Sequence, residues 1–168
     1  IASNDGSLLK SFQRYGVKTL GVEPAGNIAE IAQANGIDTV TQFFDAASAN
    51  RIRTTYGAAR VVVANKVLAH VDDPQGFLRG CERLLAPKGL IVVEVPYLRD
   101  LLERVEYDTI YHEHLCYFSV STLAKLCDAV GLSIVRMDRV AIHGGSLRMF
   151  AGQKDIFPNH ASDVLRWV

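Results

Sequence analysis

Arg60-Val61-Val62-Val63-Ala64-Asn65 and Leu90-Ile91-Val92-Val93-Glu94-Val95 are two apolar runs that decide how the chain is read. Runs without polar alternation are typical of strands covered on both faces of a parallel sheet. Between them, Asp73-Pro74 reads as the cap and first position of a helix. Phe77, Cys81, Leu84 and Leu85 then recur at helical spacing until Pro87 and Gly89 stop it. Strand, helix and strand with short links form a right-handed βαβ unit.

The same alternation continues outward. Val17–Val22 is predicted as a strand, followed by a helix over Ala25–Asn35 with Ile28, Ile31 and Ala32 on one face and Gly36 beyond its end. Ile37–Val40 is a short strand, and Asp45 caps a helix running to Tyr56. Gly6–Tyr15 is predicted helical, with Leu8, Leu9, Phe12 and Tyr15 along one side. Downstream, a polar, aromatic and His-rich segment (Val105 to Phe118) breaks the pattern. A helix over Ser121–Val130 follows, then strands at Leu132–Ile142 and Ser146–Ala151 around Gly144-Gly145. These elements predict an α/β fold with a doubly wound, mostly parallel sheet and an antiparallel closing strand. Ser3-Asn4-Asp5-Gly6 has the composition of the turn after a first strand, which the reading expects to be truncated.

The chain has 168 residues, 49% of them hydrophobic, enough for one packed core. Lys and Arg number 18, as do Asp and Glu, so no basic surplus points to nucleic acid or an anionic membrane surface. No apolar stretch reaches the roughly 20 residues that span a bilayer. Cys81, Cys116 and Cys127 form no C-x-x-C pair and are odd in number, which argues against a disulfide framework or a Cys zinc site and favours a cytoplasmic setting.

In such a sheet, ligands bind beyond the carboxyl ends of the strands. Ser3-Asn4-Asp5-Gly6, Glu23, Asn65 and Glu94 to Tyr97 all fall there. Gly6 at a helix N-terminus lets a ligand approach the backbone, and the Glu23 carboxylate can accept both hydroxyls of a ribose. Asp5 can equally be an ordinary turn residue or helix cap. A dinucleotide site wants G-x-G-x-x-G, whereas the turn here has one glycine and an acid that would repel a pyrophosphate. S-adenosylmethionine has no phosphate, and its cationic amino and sulfonium groups suit Asp5; it is the expected cofactor.

Tyr107-Asp108-Thr109-Ile110-Tyr111-His112-Glu113-His114 packs two imidazoles, carboxylates and phenols into eight positions. His114 or His112 can act as a general base near neutral pH, with Glu113 orienting the imidazolium or acting itself. The spacing offers no metal set. His70, after a strand end, is either a site residue or a neighbour of the Asp73 cap. His143-Gly144-Gly145-Ser146-Leu147-Arg148 reads as a tight turn, or as a phosphate site with Arg148 as the cationic fork.

Gly21-Val22-Glu23-Pro24-Ala25, Val67-Leu68-Ala69-His70-Val71, Glu94-Val95-Pro96-Tyr97, Asp108 to His114 and His143 to Arg148 occur in one order. Together they resemble the S-adenosylmethionine-dependent C-methyltransferases of nucleotide-linked keto-deoxysugars. The resemblance implies a Rossmann-like class I methyltransferase core over residues 1–152, with 153–168 beginning a C-terminal segment. It implies methylation of the carbon next to a ketone through a base-generated enolate, in deoxysugar biosynthesis. His114 is then the base, with Tyr111, Glu113 and His70 around the sugar. Ser3, Asn4, Asp5, Gly6, Glu23, Pro24 and Asn65 go to the cofactor, and Tyr97, His112, His143, Ser146 and Arg148 to the nucleotide-linked sugar or other small-molecule substrate. That family's first turn is Gly-Ser-Asn-Asp-Gly, and Ala2 stands here in place of its first glycine. An O- or N-methyltransferase of another small molecule, and a non-catalytic module on the same fold, remain alternative readings.

Overall fold

A computed structural model describes residues 1–142 and 144–158. His143, His160 and most of the expected C-terminal segment at 153–168 lie outside the described residues. Among the described residues six helices and five strands precede the last strand: α1 (Ser7–Gln13), β1 (Gly21–Val22), α2 (Gly26–Ala34), β2 (Thr39–Val40), α3 (Ala46–Tyr56), β3 (Ala59–Asn65), α4 (Pro74–Leu84), β4 (Leu85–Pro96), α5 (Leu98–Arg104), α6 (Val120–Ala129), β5 (Leu132–Val140) and β6 (Ser146–Gln153), alternating except where α5 and α6 follow one another. Short 3₁₀ turns occupy Leu68–His70 and Tyr107–Thr109.

The helix starts follow local chemistry. The Asp45 carboxylate accepts from the Ser48 N–H at 2.6 Å while the Asp45 N–H donates to Ser48 Oγ at 2.8 Å, a reciprocal capping box. Asp73 Oδ1 accepts from the Gly76 N–H at 2.8 Å with Pro74 at the first helical position. Ser119 caps α6 through the Thr122 N–H at 3.2 Å. Each such cap contributes about 1 kcal/mol. Helix α4 buries Phe77, Leu78, Cys81 and Leu84 along one face. Each large apolar side chain there is worth about 1.5–3 kcal/mol of burial.

The sheet is Rossmann-like. β1 pairs with β2 in parallel, and β3, β4, β6 and β5 stand in that order. β3 and β4 are parallel, while β6 is antiparallel to both β4 and β5. Among the described strands β6 alone is reversed, which is the expected closing strand. Residues 1–3 fill the gap between the β1–β2 pair and the four-stranded sheet. Ser3 N–H donates to the Val22 carbonyl at 3.2 Å, and the Ile1 amino group donates to the Val63 carbonyl at 2.8 Å. The carboxyl ends of β1, β3 and β4 therefore share one edge, which carries Glu23, Asn65 and the segment after Pro96.

Three expectations are corrected. The β3 run is not covered on both faces, since Val61 is 55% exposed. The predicted apolar side of α1 buries nothing, and Leu8, Phe12 and Tyr15 are exposed, because no described element packs over that helix. In α2 the buried face is Ala29 and Ala32, while Ile31 is exposed. Among the described residues, no helix is long and apolar enough to cross a membrane, and no three His, Cys, Asp or Glu side chains are grouped to hold a metal ion.

Candidate functional site

The turn after residue 1 is built from left-handed backbone: Ala2 has φ 48°, Asn4 φ 49° and Gly6 φ 79°. At Gly6 the requirement is double. A β-carbon there would be strained by φ and would sit 2.7 Å from Ile37 Cγ1. The turn borders a cavity of about 270 Å³ lined by Ser3, Asn4, Asp5, Leu8, Val63 and Asn65, among others. Asp5 accepts from the Ser7 N–H at 3.1 Å and from Ser7 Oγ at 2.9 Å. Those bonds, the backbone one foremost, hold its carboxyl below the usual carboxylate range. Asp5 thus does serve as a turn cap, and it stays an exposed anion at the cavity mouth. Glu23 is buried at the end of β1. Its Oε2 accepts from the Asn4 N–H and its Oε1 from the Ala25 N–H, each at 3.0 Å. The carboxylate ties the first turn to the start of α2, with lone pairs left over.

A second cavity of about 180 Å³ lies beyond β3 and β4, and Lys66, His70, Tyr97, Tyr111 and His114 line it. Asn65 borders the first cavity and Lys66 the second, so adjacent residues at one strand end join the two. His114 Nδ1 lies 2.8 Å from the Thr109 carbonyl oxygen. A carbonyl only accepts, so Nδ1 carries the proton. In the neutral ring Nε2 then holds the lone pair, and it accepts from the Tyr111 hydroxyl at 3.2 Å. The Tyr111 ring packs on the imidazole at 4.3 Å between centroids, and the His70 ring stands 4.9 Å from it. The same logic applies to His70, whose Nδ1 donates to the Glu113 carbonyl at 2.7 Å.

With this geometry in place, comparison with known proteins decides the family. A model described as "Methyltransferase domain" matches residues 1–137. The chain belongs to the methyltransferase-domain family. S-adenosylmethionine is its cofactor. The chain is 42% identical over 149 residues to C-methyltransferase NovU of Streptomyces niveus, covering 89% of this chain and 36% of NovU. It is 25% identical over 152 residues to a ubiquinone biosynthesis O-methyltransferase of Albidiferax ferrireducens, covering 80% and 58% respectively. It therefore spans less than two thirds of either relative. The fold matches magnesium protoporphyrin IX methyltransferase from Synechocystis, solved with bound SAH, with a TM-score of 0.68 at 14% identity over 90% of this chain and 71% of that one. It also matches the O-methyltransferase NcsB1 of neocarzinostatin biosynthesis, with a TM-score of 0.65 at 18% identity over 90% and 47%.

The methyltransferase's first cavity fits this cofactor. Ser3 Oγ is buried without a hydrogen-bond partner and the Asp5 anion stands at the mouth, a polar demand that a cationic amino acid end can meet. Ser3, Asn4, Asp5 and Asn65 come together around it. Gly6 shapes the turn from behind, Glu23 faces the backbone of that turn, and Pro24 is exposed outside the cavity.

Around the second cavity, the structure separates residues that sequence grouped. Glu113 contributes its carbonyl to His70, while its carboxylate is exposed and only 4.0 Å from His112 Nε2. His112 is 90% exposed and does not line the cavity. Arg148 has a partner within the sheet. It sits directly across the strand pair from Glu94, and its Nε and Nη2 both donate to Glu94 Oε2, at 3.0 and 2.7 Å. The two form a cross-strand ion pair. Ser146 is buried and donates to the Ile142 carbonyl at 3.0 Å. The Gly144-Gly145 turn is held from below. A β-carbon on Gly145 would collide with the buried Asp100 carboxylate, which Arg139 Nε binds at 3.0 Å. Burial pushes the Cys81 and Cys127 thiols up to about 12, which removes both as nucleophiles. Lys66, Leu101 and Glu106 line this cavity although sequence reasoning passes over them, and for Lys66 its place just after a strand-end Asn is the one local signal.

Proposed function

We propose that this chain is the catalytic core of a C-methyltransferase acting on the carbon next to the ketone of a nucleotide-linked deoxysugar. The carrying observation is the hydrogen-bonding of His114, with Nδ1–H on the Thr109 carbonyl and the Nε2 lone pair held in reserve by Tyr111. The 42% identity to a C-methyltransferase supports the choice of carbon. When bound, the cofactor supplies an electrophilic methyl group on a sulfonium, so the remaining task is to make carbon nucleophilic.

Carbon beside a ketone becomes nucleophilic once deprotonated. His114 Nε2 takes that proton, and its Nδ1–H stays fixed to Thr109, which orients the ring and stabilises the imidazolium. Tyr111 leaves Nε2 as the substrate enters and is then a neutral donor beside the reacting carbon. His70 and Tyr97 bound the sugar, with Tyr97 fixed through its N–H to the Gly145 carbonyl at 3.1 Å. Ser3, Asn4, Asp5 and Asn65 hold the amino acid end of the cofactor, and the spare lone pairs of Glu23 take its ribose. The partial match to an O-methyltransferase supports a second reading, in which His114 deprotonates a hydroxyl.

The test is to turn over a thymidine diphosphate-linked 4-keto-6-deoxyhexose with the intact protein in D₂O. Methyl on carbon is expected, with solvent deuterium entering that same α-position in the substrate that remains unmethylated. Methyl on oxygen without carbon-bound deuterium selects the second reading.

A further inference from the structure

The cavity that holds His114 also holds a charge that the mechanism above leaves idle. Lys66 directly follows β3 in the left-handed conformation, at φ 58°, a state that residues with a β-carbon adopt only at a cost. Its N–H still donates to the Glu94 carbonyl at 2.8 Å, so the departure comes right at the end of the β3–β4 ladder. The Lys66 ammonium donates to Ser146 Oγ and stands 3.4 Å from Glu94 Oε1. Ser146 spends its own hydrogen on Ile142, so toward Lys66 it can only accept. An ammonium has three donors. Two have partners among the described residues, and Lys66 lines the cavity beside Tyr111 and His114.

An enolate formed in this cavity puts its negative charge on the former carbonyl oxygen. We propose that Lys66 is a further catalytic residue, whose third N–H donates to that oxygen while His114 Nε2 takes the α-proton. The inference rests on the C-methylation reading. The C–H electron pair becomes the enolate C=C bond, the carbonyl π pair moves onto oxygen, and the proton ends on His114; Lys66 keeps its own. Tyr111 is a weaker candidate for the same oxygen, since it is neutral and a charged donor is roughly twice as strong as a neutral one. Burial lowers the Lys66 pKa, and the Glu94 carboxylate opposes that fall. Glu94 does not depend on Lys66 alone, because Arg148 binds its other oxygen.

The experiment follows α-proton exchange of a thymidine diphosphate-linked 4-keto-6-deoxyhexose in D₂O by NMR. It uses the intact protein with S-adenosylhomocysteine in place of the methyl donor. Lys66→Met is expected to slow exchange about 10²–10³-fold, the scale of removing one oxyanion donor. S-adenosylhomocysteine affinity should stay within about twofold, and Lys66→Arg should recover part of the rate. Exchange by Lys66→Met at the wild-type rate would overturn the role. Loss of exchange and of S-adenosylhomocysteine binding together in both variants would mark Lys66 as structural and also overturn it. No exchange by the wild-type protein would instead bring down the C-methylation reading, and the Lys66 role with it.

Discussion

The cavity beside Ser3–Asp5 is shaped mainly by backbone, whereas the cavity of His114 is assembled from side chains that meet from four separate segments. In the first, three left-handed residues within positions 2–6 set the wall, and Glu23 holds them through backbone N–H groups. In the second, Lys66 and His70 after β3, Tyr97 after β4, Tyr111 and His114 in the long loop, and Gly145 before β6 converge. A wall of turns binds a ligand that never changes. A wall of side chains, each with its donor or acceptor set by a distant carbonyl, allows selection among substrates and chemistry on them. Mutations in the two cavities should therefore fail in different ways.

The largest expected effect is at His114. His114→Asn should lower kcat about 10²–10⁴-fold with S-adenosylhomocysteine affinity unchanged, read by steady-state kinetics beside calorimetry. Equal loss of both would erase the distinction between the cavities. Gly6→Ala should show the opposite pattern. The added methyl meets Ile37 in a left-handed turn, so thermal unfolding should report a loss of about 1–3 kcal/mol, accompanied by weaker cofactor binding. A variant as stable as wild type would show that the turn is not rigid.

Glu23→Ala removes acceptors from the Asn4 and Ala25 N–H groups as well as the proposed ribose partner. Calorimetry should find S-adenosylhomocysteine binding weaker by about tenfold, or roughly 1.4 kcal/mol, with kcat at saturating cofactor nearly unchanged. Unaltered affinity would confine Glu23 to tying the turn together. The smallest effect belongs to Ala2→Gly. Relief of the left-handed φ at position 2 exceeds the added chain entropy of glycine by about 0.5–1 kcal/mol, so unfolding should shift upward by a few degrees. A downward shift would mean that the Ala2 methyl contributes packing to the cavity.

Much of the fold was legible in the sequence because its signals are short-ranged. Asp45, Asp73 and Ser119 cap helices through bonds spanning three residues, and the apolar runs at Val61–Ala64 and Leu90–Val95 are strands. What periodicity does not carry is whether a second layer covers an apolar face. That is why Val61, Leu8 and Phe12 read as core and stand exposed. The candidate site was legible as a cluster of residue types, Tyr111 to His114, but not as a geometry. His112 and His114 are two positions apart, yet one is exposed and the other is bound at both ring nitrogens.

By itself the sequence determined the order of strands and helices apart from α5, several helix ends, the glycine-bearing turn before α1 and the presence of an imidazole-rich segment downstream of β4. All of these rest on interactions within a few residues. Only the tertiary structure decided that Arg148 pairs with Glu94, because that depends on the β4–β6 register across 54 positions. It also decided that the ring proton of His70 goes to the Glu113 carbonyl, 43 residues away, and that Lys66 reaches Ser146, 80 residues away. A hydrogen bond fails over an error of about an ångström, so partners this far apart in the chain are chosen by strand register and packing, to which local periodicity is blind.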